Sequence, residues 1–319
     1  MRGLSYYILL ILLKTGVIHL YSVIDIGSNT IRLVVYTLED GRLRQALSSK
    51  STAGLAGCVE DGALSEEGVE KLVSVLLRFR RVLELLPGCR VFPFATASLR
   101  GLSNTPEVLE RVRRETGFDI DVITGREEAI FDYRGAVGRM NEQSGVLVDI
   151  GGGSTELVFF RSREVISAQS LPIGSLNLFS RFVSGVIPEG KELREMCTEA
   201  LRLIGPAIPK KGSYVAEPLC GVGGTARAAH ALSQSAGGGE SYSPSFLRGI
   251  LSQAESSPRK LMRRILKIAP ERVHTLVPGV VILSAVVELC RPETIVTSSY
   301  GVREGYLEYQ LEKEGILNV

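Results

Sequence analysis

The sequence contains no tryptophan and no low-complexity tract of consequence, and its formal net charge is only +2 at pH 7. A protein without a global basic field is not expected to bind nucleic acid, so a site for a polyanion would have to be local. Five cysteines are scattered through the 319 residues without a CxxC pair. That arrangement argues against a zinc site or a disulfide framework and is typical of idle thiols in a reducing cytoplasm.

A clear targeting segment is also lacking. The apolar run from Tyr6 to Leu13 follows Arg2 but is too short to span a bilayer, is interrupted by Lys14, and precedes no small-x-small cleavage site. We therefore expect a cytoplasmic protein without a membrane span, in which residues 1–20 are either a short N-terminal extension or the result of a start codon assigned too far upstream.

Two segments of the chain are versions of one pattern. VIDIGSNTIRLVVY (residues 23–36) aligns without gaps on LVDIGGGSTELVFF (residues 147–160). Each is an apolar strand, an Asp-Ile-Gly turn with small polar residues, and a second apolar strand, and the turn length favours a β-hairpin. A repeat at this wide separation, in a chain long enough for two cores, indicates a duplicated domain.

Strand and helix patterns alternate through the rest of the chain, which predicts an α/β fold. The predicted strands beyond the two hairpins are 90–97, 118–123, 165–171, 214–220 and 295–298. The predicted helices are 65–86, 106–116, 127–138, 176–182, 191–204, 226–233, 278–290 and 303–314. Residues 235–244 are rich in glycine and serine and predict a surface loop.

Three glycine-rich turns follow predicted strands. Glycine lets backbone N–H groups converge on an anion, and neighbouring serine, asparagine or threonine side chains add short donors, so phosphate is the natural ligand. A single glycine-rich turn after a strand is common in proteins without any ligand. Three such turns, two of which begin with the same Asp-Ile-Gly, favour a phosphate site. The candidate phosphate-binding residues are Gly27, Ser28 and Asn29; Gly151, Gly152, Gly153, Ser154 and Thr155; and Gly223, Gly224 and Thr225.

Asp25 and Asp149 end strongly apolar strands, where an uncompensated carboxylate would be costly to bury. Beside phosphate-binding turns, a carboxylate commonly holds Mg²⁺. This predicts a metal site at Asp149 and Glu156. Asp25 could be either a metal ligand or the cap of its own turn. Glu127 opens a predicted helix and could act as a base on water or merely favour the helix dipole. Arg100 is a candidate phosphate clamp or an ordinary surface arginine.

These motifs together resemble the exopolyphosphatase and guanosine pentaphosphate phosphohydrolase family of the actin-like ATPase superfamily. The resemblance implies two duplicated ribonuclease-H-like domains with a cleft between them, and it covers the chain from about Val23 onward. Its motifs are VIDIGSNTIRLVVY (23–36), FATASLR (94–100), ITGREEAIFDYRGAV (123–137), LVDIGGGSTELVFF (147–160), GVGGTARA (221–228) and YGVREGYL (300–307).

The resemblance also implies roles for particular residues. Glu127 would be the catalytic base, as the first glutamate of the Glu-Glu-Ala segment. Asp149 and Glu156 would lie at the metal and phosphate site, the glycine turns would bind phosphates, and Arg100 would contact the phosphate chain. The implied domains are residues 21–123 with the C-terminal helix 305–319, and residues 124–304, as in the short form of the family.

The chain departs from the family pattern at Asn177, where many members carry arginine, and in residues 51–57, which lack an expected basic residue. Both departures bear on substrate preference more than on reaction type. The hypothesis is therefore Mg²⁺-dependent release of terminal phosphate from inorganic polyphosphate, with guanosine pentaphosphate as the alternative substrate. A sugar-kinase-like transferase and a non-catalytic polyphosphate or nucleotide sensor are the other candidates, and a homodimer is the working expectation for assembly.

Overall fold

The computed structural model describes residues 19–210 and 212–317, so most of the expected extension at residues 1–20 lies outside the described residues. The described residues divide into two compact units, one containing those up to Thr124 and those from Tyr306 onward, the other containing those between Gly125 and Gly305. The described helices include none with the length and apolar character needed to cross a membrane. Each unit is built around its own sheet.

The described residues of the first unit before Thr124 form seven strands and two helices. The strands are β1 (Leu20–Ile26), β2 (Thr30–Glu39), β3 (Arg42–Thr52), β4 (Val59–Glu60), β5 (Ala63–Leu64), β6 (Arg90–Ala95) and β7 (Asp121–Val122); the helices are α1 (Glu66–Leu83) and α2 (Thr105–Thr116). Ser65 begins α1 by accepting a hydrogen bond from the Gly68 amide, as its position before an acidic first turn predicts.

The second unit contains the remaining strands and most of the remaining helices. The strands are β8 (Gly145–Ile150), β9 (Thr155–Arg161), β10 (Glu164–Leu171), β11 (Leu219–Val222), β12 (Ser241–Tyr242) and β13 (Ile295–Thr297). The helices are α3 (Gly125–Val137), α4 (Ser175–Phe182), α5 (Gly190–Ile204), α6 (Gly223–Gln234), α7 (Pro244–Ser256), α8 (Pro258–Ile268), α9 (Leu276–Cys290) and α10 (Val302–Lys313). The boundary between the units falls within α10.

The two main sheets have the same topology. The first has strand order β3-β2-β1-β6-β7, and the second has order β10-β9-β8-β11-β13 with β12 added at the edge. In each sheet the first three strands form an antiparallel meander, and the next two add in parallel to the opposite side. Both predicted hairpins are therefore confirmed, together with the α/β class and the duplication.

The core of the second unit surrounds α9, whose residues are nearly all apolar, with Ser284 and the exposed Glu288 as exceptions. Helix α9 packs against the sheet and against α5 and α7. A helix this apolar packs in the interior, so the prediction of a buried helix at 278–290 is confirmed. In the first unit, buried apolar residues of α1 and α2 form one core cluster with those of the sheet strands and their connections.

Several predicted elements are wrong in extent. The strand predicted at 214–220 is only Leu219–Val222, because Pro218 cannot donate to a strand ladder. The strand predicted at 118–123 is reduced to β7, and the loop predicted at 235–244 contains β12. No sequence pattern predicted β3, an exposed and polar edge strand, or α7 and α8, each of which has proline at its first position.

Candidate active site

The two Asp-Ile-Gly turns have the same local geometry. The Gly151 amide donates to the Ser154 carbonyl at 2.9 Å, and the Gly27 amide donates to the Thr30 carbonyl at 3.1 Å. These four residues occupy equivalent positions in the aligned segments, so the repeat in the sequence is also a repeat of backbone conformation. Both turns connect strands whose register is fixed by a ladder on either side.

The carbonyls of the second turn are held by the N-terminus of α4. The Ser175 amide donates to the Gly151 carbonyl at 2.9 Å, and the Leu176 and Asn177 amides donate to the Gly152 carbonyl at 2.9 and 3.1 Å. The Asn177 side chain donates to the Gly153 carbonyl at 2.9 Å. The whole row of turn carbonyls therefore faces one helix end.

This arrangement determines where the turn amides point. In a planar trans peptide the C=O of one residue and the N–H of the next are directed to opposite sides. Because the carbonyls of residues 151–153 are bound by α4, the amides of Gly152, Gly153 and Ser154 are directed away from it. Within the described part of the chain these three amides have no hydrogen-bond acceptor. Converging backbone donors of this kind form an anion-binding concavity.

The first turn is held in a similar way by backbone groups alone. The Ser28 carbonyl accepts from the Ala56 amide at 2.9 Å, and the Asn29 carbonyl accepts from the Ala53 and Gly54 amides at 3.1 and 3.0 Å. The segment that follows β3 thus supports the Gly27–Asn29 turn as the segment that follows β10 supports its counterpart. Phosphate binding at this first turn stays a prediction.

The third predicted turn is instead the start of a helix, since α6 begins at Gly223. Gly223 has φ +79°, and a Cβ there would lie 2.0 Å from Oδ1 of Asp149. A Cβ at Gly224 would lie 1.8 Å from an Arg272 guanidinium nitrogen. Gly223 is therefore favoured both by its left-handed backbone and by the short Asp149 side chain against it, whereas at Gly224 the contacting group is the end of a long arginine side chain that can move. Thr225 is fully buried, with its hydroxyl beside Gly279 of α9, so in this conformation it packs rather than offering a donor to a ligand.

Two acidic side chains flank the second turn. Asp149 and Glu156 are directly opposite each other in the β8–β9 ladder, which places their side chains on one face of the sheet. Glu156 is 2% exposed and accepts a hydrogen bond from the Ser170 hydroxyl at 2.6 Å. Asp149 retains partial exposure. The predicted pair is thus brought together at the turn.

Helix α3 adds two further carboxylates that sequence reasoning did not single out. Glu128 and Asp132 are both buried, one turn apart on the same face of the helix. Asp132 is hydrogen-bonded to Asp149, and its Oδ1 also accepts from the Val302 amide at 2.8 Å. The i,i+4 spacing of two acids in an otherwise apolar stretch is the signal that could have identified them.

The electrostatics of this cluster reflect crowded like charges. Burial raises the pKa of Asp132 well above its usual range, and the charges of Asp149, Glu156 and Glu128 raise it further. Burial likewise raises the pKa of Glu156, with the charge of Glu128 next in importance. Burial also raises the pKa of Asp149, but Arg227, the hydrogen bond from Asp132, and the charges of Arg303 and Arg272 oppose that rise. A cation in the cluster would relieve this repulsion.

The close approach of α3 to the start of α10 depends on glycine. A Cβ on Gly135 would lie 2.0 Å from the Gly301 carbonyl oxygen, and a Cβ on Gly305 would lie 1.9 Å from the Phe131 carbonyl oxygen. Contact at backbone distance brings the first amide of α10 within reach of Asp132. Packing therefore requires glycine at Gly135 of α3 and at Gly305 of YGVREGYL.

The other predicted residues lie as follows. Glu127 is on the exposed side of α3, whereas its neighbour Glu128 is on the side that carries Asp132. Arg100 is half-buried and donates to the Ile123 carbonyl at 3.3 Å, among other interactions. Asp25 is opposite Arg32 in its ladder, where Asp149 is opposite Glu156. A carboxylate that faces arginine has less need of a metal ion, so the prediction of a ligand at Asp25 gains no support.

The donor set fits Mg²⁺. Among the described residues no three histidine, cysteine or acidic side chains are arranged to hold a metal ion by themselves. Mg²⁺ is usually bound by one or two carboxylates and completed by water and substrate phosphate, rather than by an all-protein cage. Asp149 and Glu156, beside turn amides that have no acceptor in the described structure, match that requirement. The metal itself stays a prediction.

Comparison with known proteins places the chain in a family. Residues 34–314 match the model of the Ppx/GppA phosphatase family, and the chain belongs to that family. A guanosine-5'-triphosphate,3'-diphosphate pyrophosphatase of Vibrio vulnificus is 28% identical over 298 residues, which cover 92% of this chain and 60% of that protein. The chain therefore spans about three fifths of the length of this curated relative.

Two crystal structures are similar over almost their whole length. The Ppx/GppA family member of Aquifex aeolicus is 27% identical, with a TM-score of 0.78 over 93% of this chain and 99% of that one. An exopolyphosphatase from Cytophaga hutchinsonii is 25% identical, with a TM-score of 0.80 over 92% and 98% of the two chains. The actin-like ATPase fold implied by the sequence motifs is thus confirmed.

Proposed function

We propose that this chain is a Mg²⁺-dependent phosphohydrolase that releases orthophosphate from the end of inorganic polyphosphate. The observation that carries the proposal is the turn at residues 151–154. Its amides have no acceptor in the described structure, and the turn joins the two strands that carry Asp149 and Glu156 opposite each other. Phosphate groups are the ligands that such amides and a metal-binding carboxylate pair would share.

The reaction is an in-line displacement at the terminal phosphorus. The oxygen of a water molecule forms a bond to phosphorus while the bridging P–O bond breaks, and the shortened chain departs with the electron pair. A carboxylate takes the proton of the water. The turn amides orient the phosphate, and Asp149 and Glu156 would hold Mg²⁺, whose charge offsets that of the phosphate oxygens. Catalysis of this kind depends mainly on positioning and charge neutralisation.

Glu127 and Glu128 are rival candidates for the base. The family resemblance implies Glu127, but Glu128 is the one that shares the buried face of α3 with Asp132 and acts electrostatically on Glu156. On this geometry we favour Glu128. A base must lie within hydrogen-bond reach of the water that it deprotonates, and its removal typically costs about 10²–10⁴-fold in rate.

The test is the matched pair Glu127→Gln and Glu128→Gln, assayed for phosphate release from polyphosphate with Mg²⁺. We expect Glu128→Gln to lose about 10²–10⁴-fold in kcat and Glu127→Gln to lose much less. The reverse order would restore the base role to Glu127. Equal activity in both variants and the parent would remove both glutamates from the mechanism.

Guanosine pentaphosphate is the second candidate substrate, because the Vibrio vulnificus relative is named for its action on that nucleotide. The same amides and carboxylates could bind its terminal 5′-phosphate. Initial rates on long polyphosphate, tripolyphosphate and guanosine pentaphosphate, each with and without Mg²⁺, separate the two activities. Tight binding of these anions without turnover would instead favour the sensor hypothesis.

A further inference from the structure

We infer that Asn177 is a positioning residue for the phosphate-binding turn of the second unit, and that it controls how tightly phosphate binds there. The inference rests on the proposed function and extends it to a residue outside the turn. Asn177 lies at the third position of α4 and is exposed, so its side chain contributes little to core packing. Its contacts are nevertheless all directed at backbone groups of the site.

The Asn177 side chain makes two hydrogen bonds with different consequences. Its Oδ1 accepts from the Gly174 amide at 2.7 Å, which caps the start of α4. Its Nδ2 donates to the Gly153 carbonyl at 2.9 Å, which holds the last carbonyl of the turn. One bond therefore serves the helix, and the other fixes the peptide whose N–H belongs to Ser154.

The adjacent contacts make this geometry restrictive. A Cβ at Gly174 would lie 2.3 Å from the Gly152 carbonyl oxygen, so α4 and the turn touch at backbone distance. The Ser175 hydroxyl donates to the Gly151 carbonyl at 3.0 Å. The carbonyls of Gly151 and Gly152 are each bound by backbone amides, but the Gly153 carbonyl is bound only by the Asn177 side chain in the described structure.

The first unit shows what this side chain replaces. The equivalent carbonyl, that of Asn29, is held by two backbone amides of the following segment. In the second unit the same carbonyl depends on a single amide group that one substitution can remove. The last peptide of the turn is thus the adjustable one, and its N–H is one of the three directed at the anion.

The experiment separates the cap from the contact with the turn. Asn177→Asp keeps an oxygen for the Gly174 amide but places an acceptor against the Gly153 carbonyl, whereas Asn177→Ala removes both bonds. Ser180→Asp adds the same negative charge at an exposed position one turn along α4 and serves as the charge control. Imidodiphosphate, which is not readily hydrolysed, is the calorimetric probe for all four proteins, and polyphosphate is the kinetic substrate.

We expect Asn177→Asp and Asn177→Ala each to raise the dissociation constant for imidodiphosphate and the KM for polyphosphate by about 3- to 10-fold, the range of one net hydrogen bond. We expect kcat to change much less, because the carboxylates are untouched. Thermal unfolding should be near the parental temperature for Asn177→Asp and lower for Asn177→Ala. Ser180→Asp should match the parent.

Two results would overturn the inference. The first is a folded Asn177→Ala protein with parental affinity and KM, and the second is an effect of Ser180→Asp as large as that of Asn177→Asp. If the parent protein binds imidodiphosphate but hydrolyses none of the substrates, the proposed function is refuted. The dissociation constants of the Asn177 variants then decide this inference. A parent that does not bind the probe at all would refute both.

Discussion

Replacing Gly223 by alanine should lower activity about 10²-fold, because the added Cβ would collide with Asp149 in addition to straining the backbone. The added Cβ would lie 2.0 Å from Oδ1 of Asp149, whereas ordinary van der Waals contact begins at 3.4 Å, so one of the two groups must move by 1.4 Å, the difference between these distances. A misplacement of about 1 Å at a reacting centre can cost about 10²-fold in rate. The substitution also forces alanine into a left-handed conformation at φ +79°, which costs about 1–2 kcal/mol.

Gly237→Ala is the matched control. Gly237 has φ +89°, belongs to the same unit, and has no atom within 4 Å of an added Cβ. Both variants should therefore lose about 1–2 kcal/mol of unfolding free energy in urea titrations, a drop of about 2–8 °C in Tm for a unit of this size. Only Gly223→Ala should lose about 10²-fold in phosphate release. Comparable activity in the two variants would refute the argument that Gly223 makes room for Asp149.

The carboxylate cluster supports two further predictions. Burial and neighbouring charges raise the pKa of Glu156 in the folded state, so without metal the contribution of this one group to stability should be most favourable below its unfolded pKa and should decline as pH rises toward its folded pKa. The Glu156→Gln side chain cannot ionise, so the variant should lose less unfolding free energy as pH rises and should be inactive but more stable than the parent at pH 8. Urea titrations over a pH series measure this difference. An unchanged dependence of the unfolding free energy on pH would contradict the prediction. Asp132→Asn can still donate to Asp149 and accept from the Val302 amide, so it should retain most activity, whereas Asp132→Leu should lose about 10–100-fold. Equal losses in both Asp132 variants would instead mean that the charge of Asp132 is itself required, and kcat measurements with saturating Mg²⁺ distinguish the two cases.

Local patterns were enough to predict the elements that carry the site. The Asp-Ile-Gly repeat predicted both hairpins and the duplicated topology, because turn length and strand alternation are encoded within a few residues. The buried character of α9 followed from its nearly uniform apolarity. Asp149 and Glu156 were predicted together because their separation along one hairpin fixes the register that places them opposite each other.

The remaining features depend on contacts between distant segments. Thr225 follows glycines that suggest a phosphate turn, yet Gly279 of α9 leaves a space that its side chain fills. The choice between Glu127 and Glu128 depends on the rotational phase of α3, which the first turn of a helix does not determine. The support of the Gly153 carbonyl by Asn177 joins residues of two different elements and leaves no pattern in the sequence.

The two units contain the same hairpin, but only the hairpin of the second unit has two acidic side chains opposite each other. Where the first copy has Arg32 opposite Asp25, the second has Glu156 opposite Asp149, and α3 brings Glu128 and Asp132 into the same region. Carboxylates crowded into one largely buried cluster favour each other's protonated form. Such a cluster lowers the stability of the fold, so stability does not explain its presence. A bound cation would lower the cost of ionising this cluster, which is the role that we propose for Mg²⁺ beside the amides of the turn.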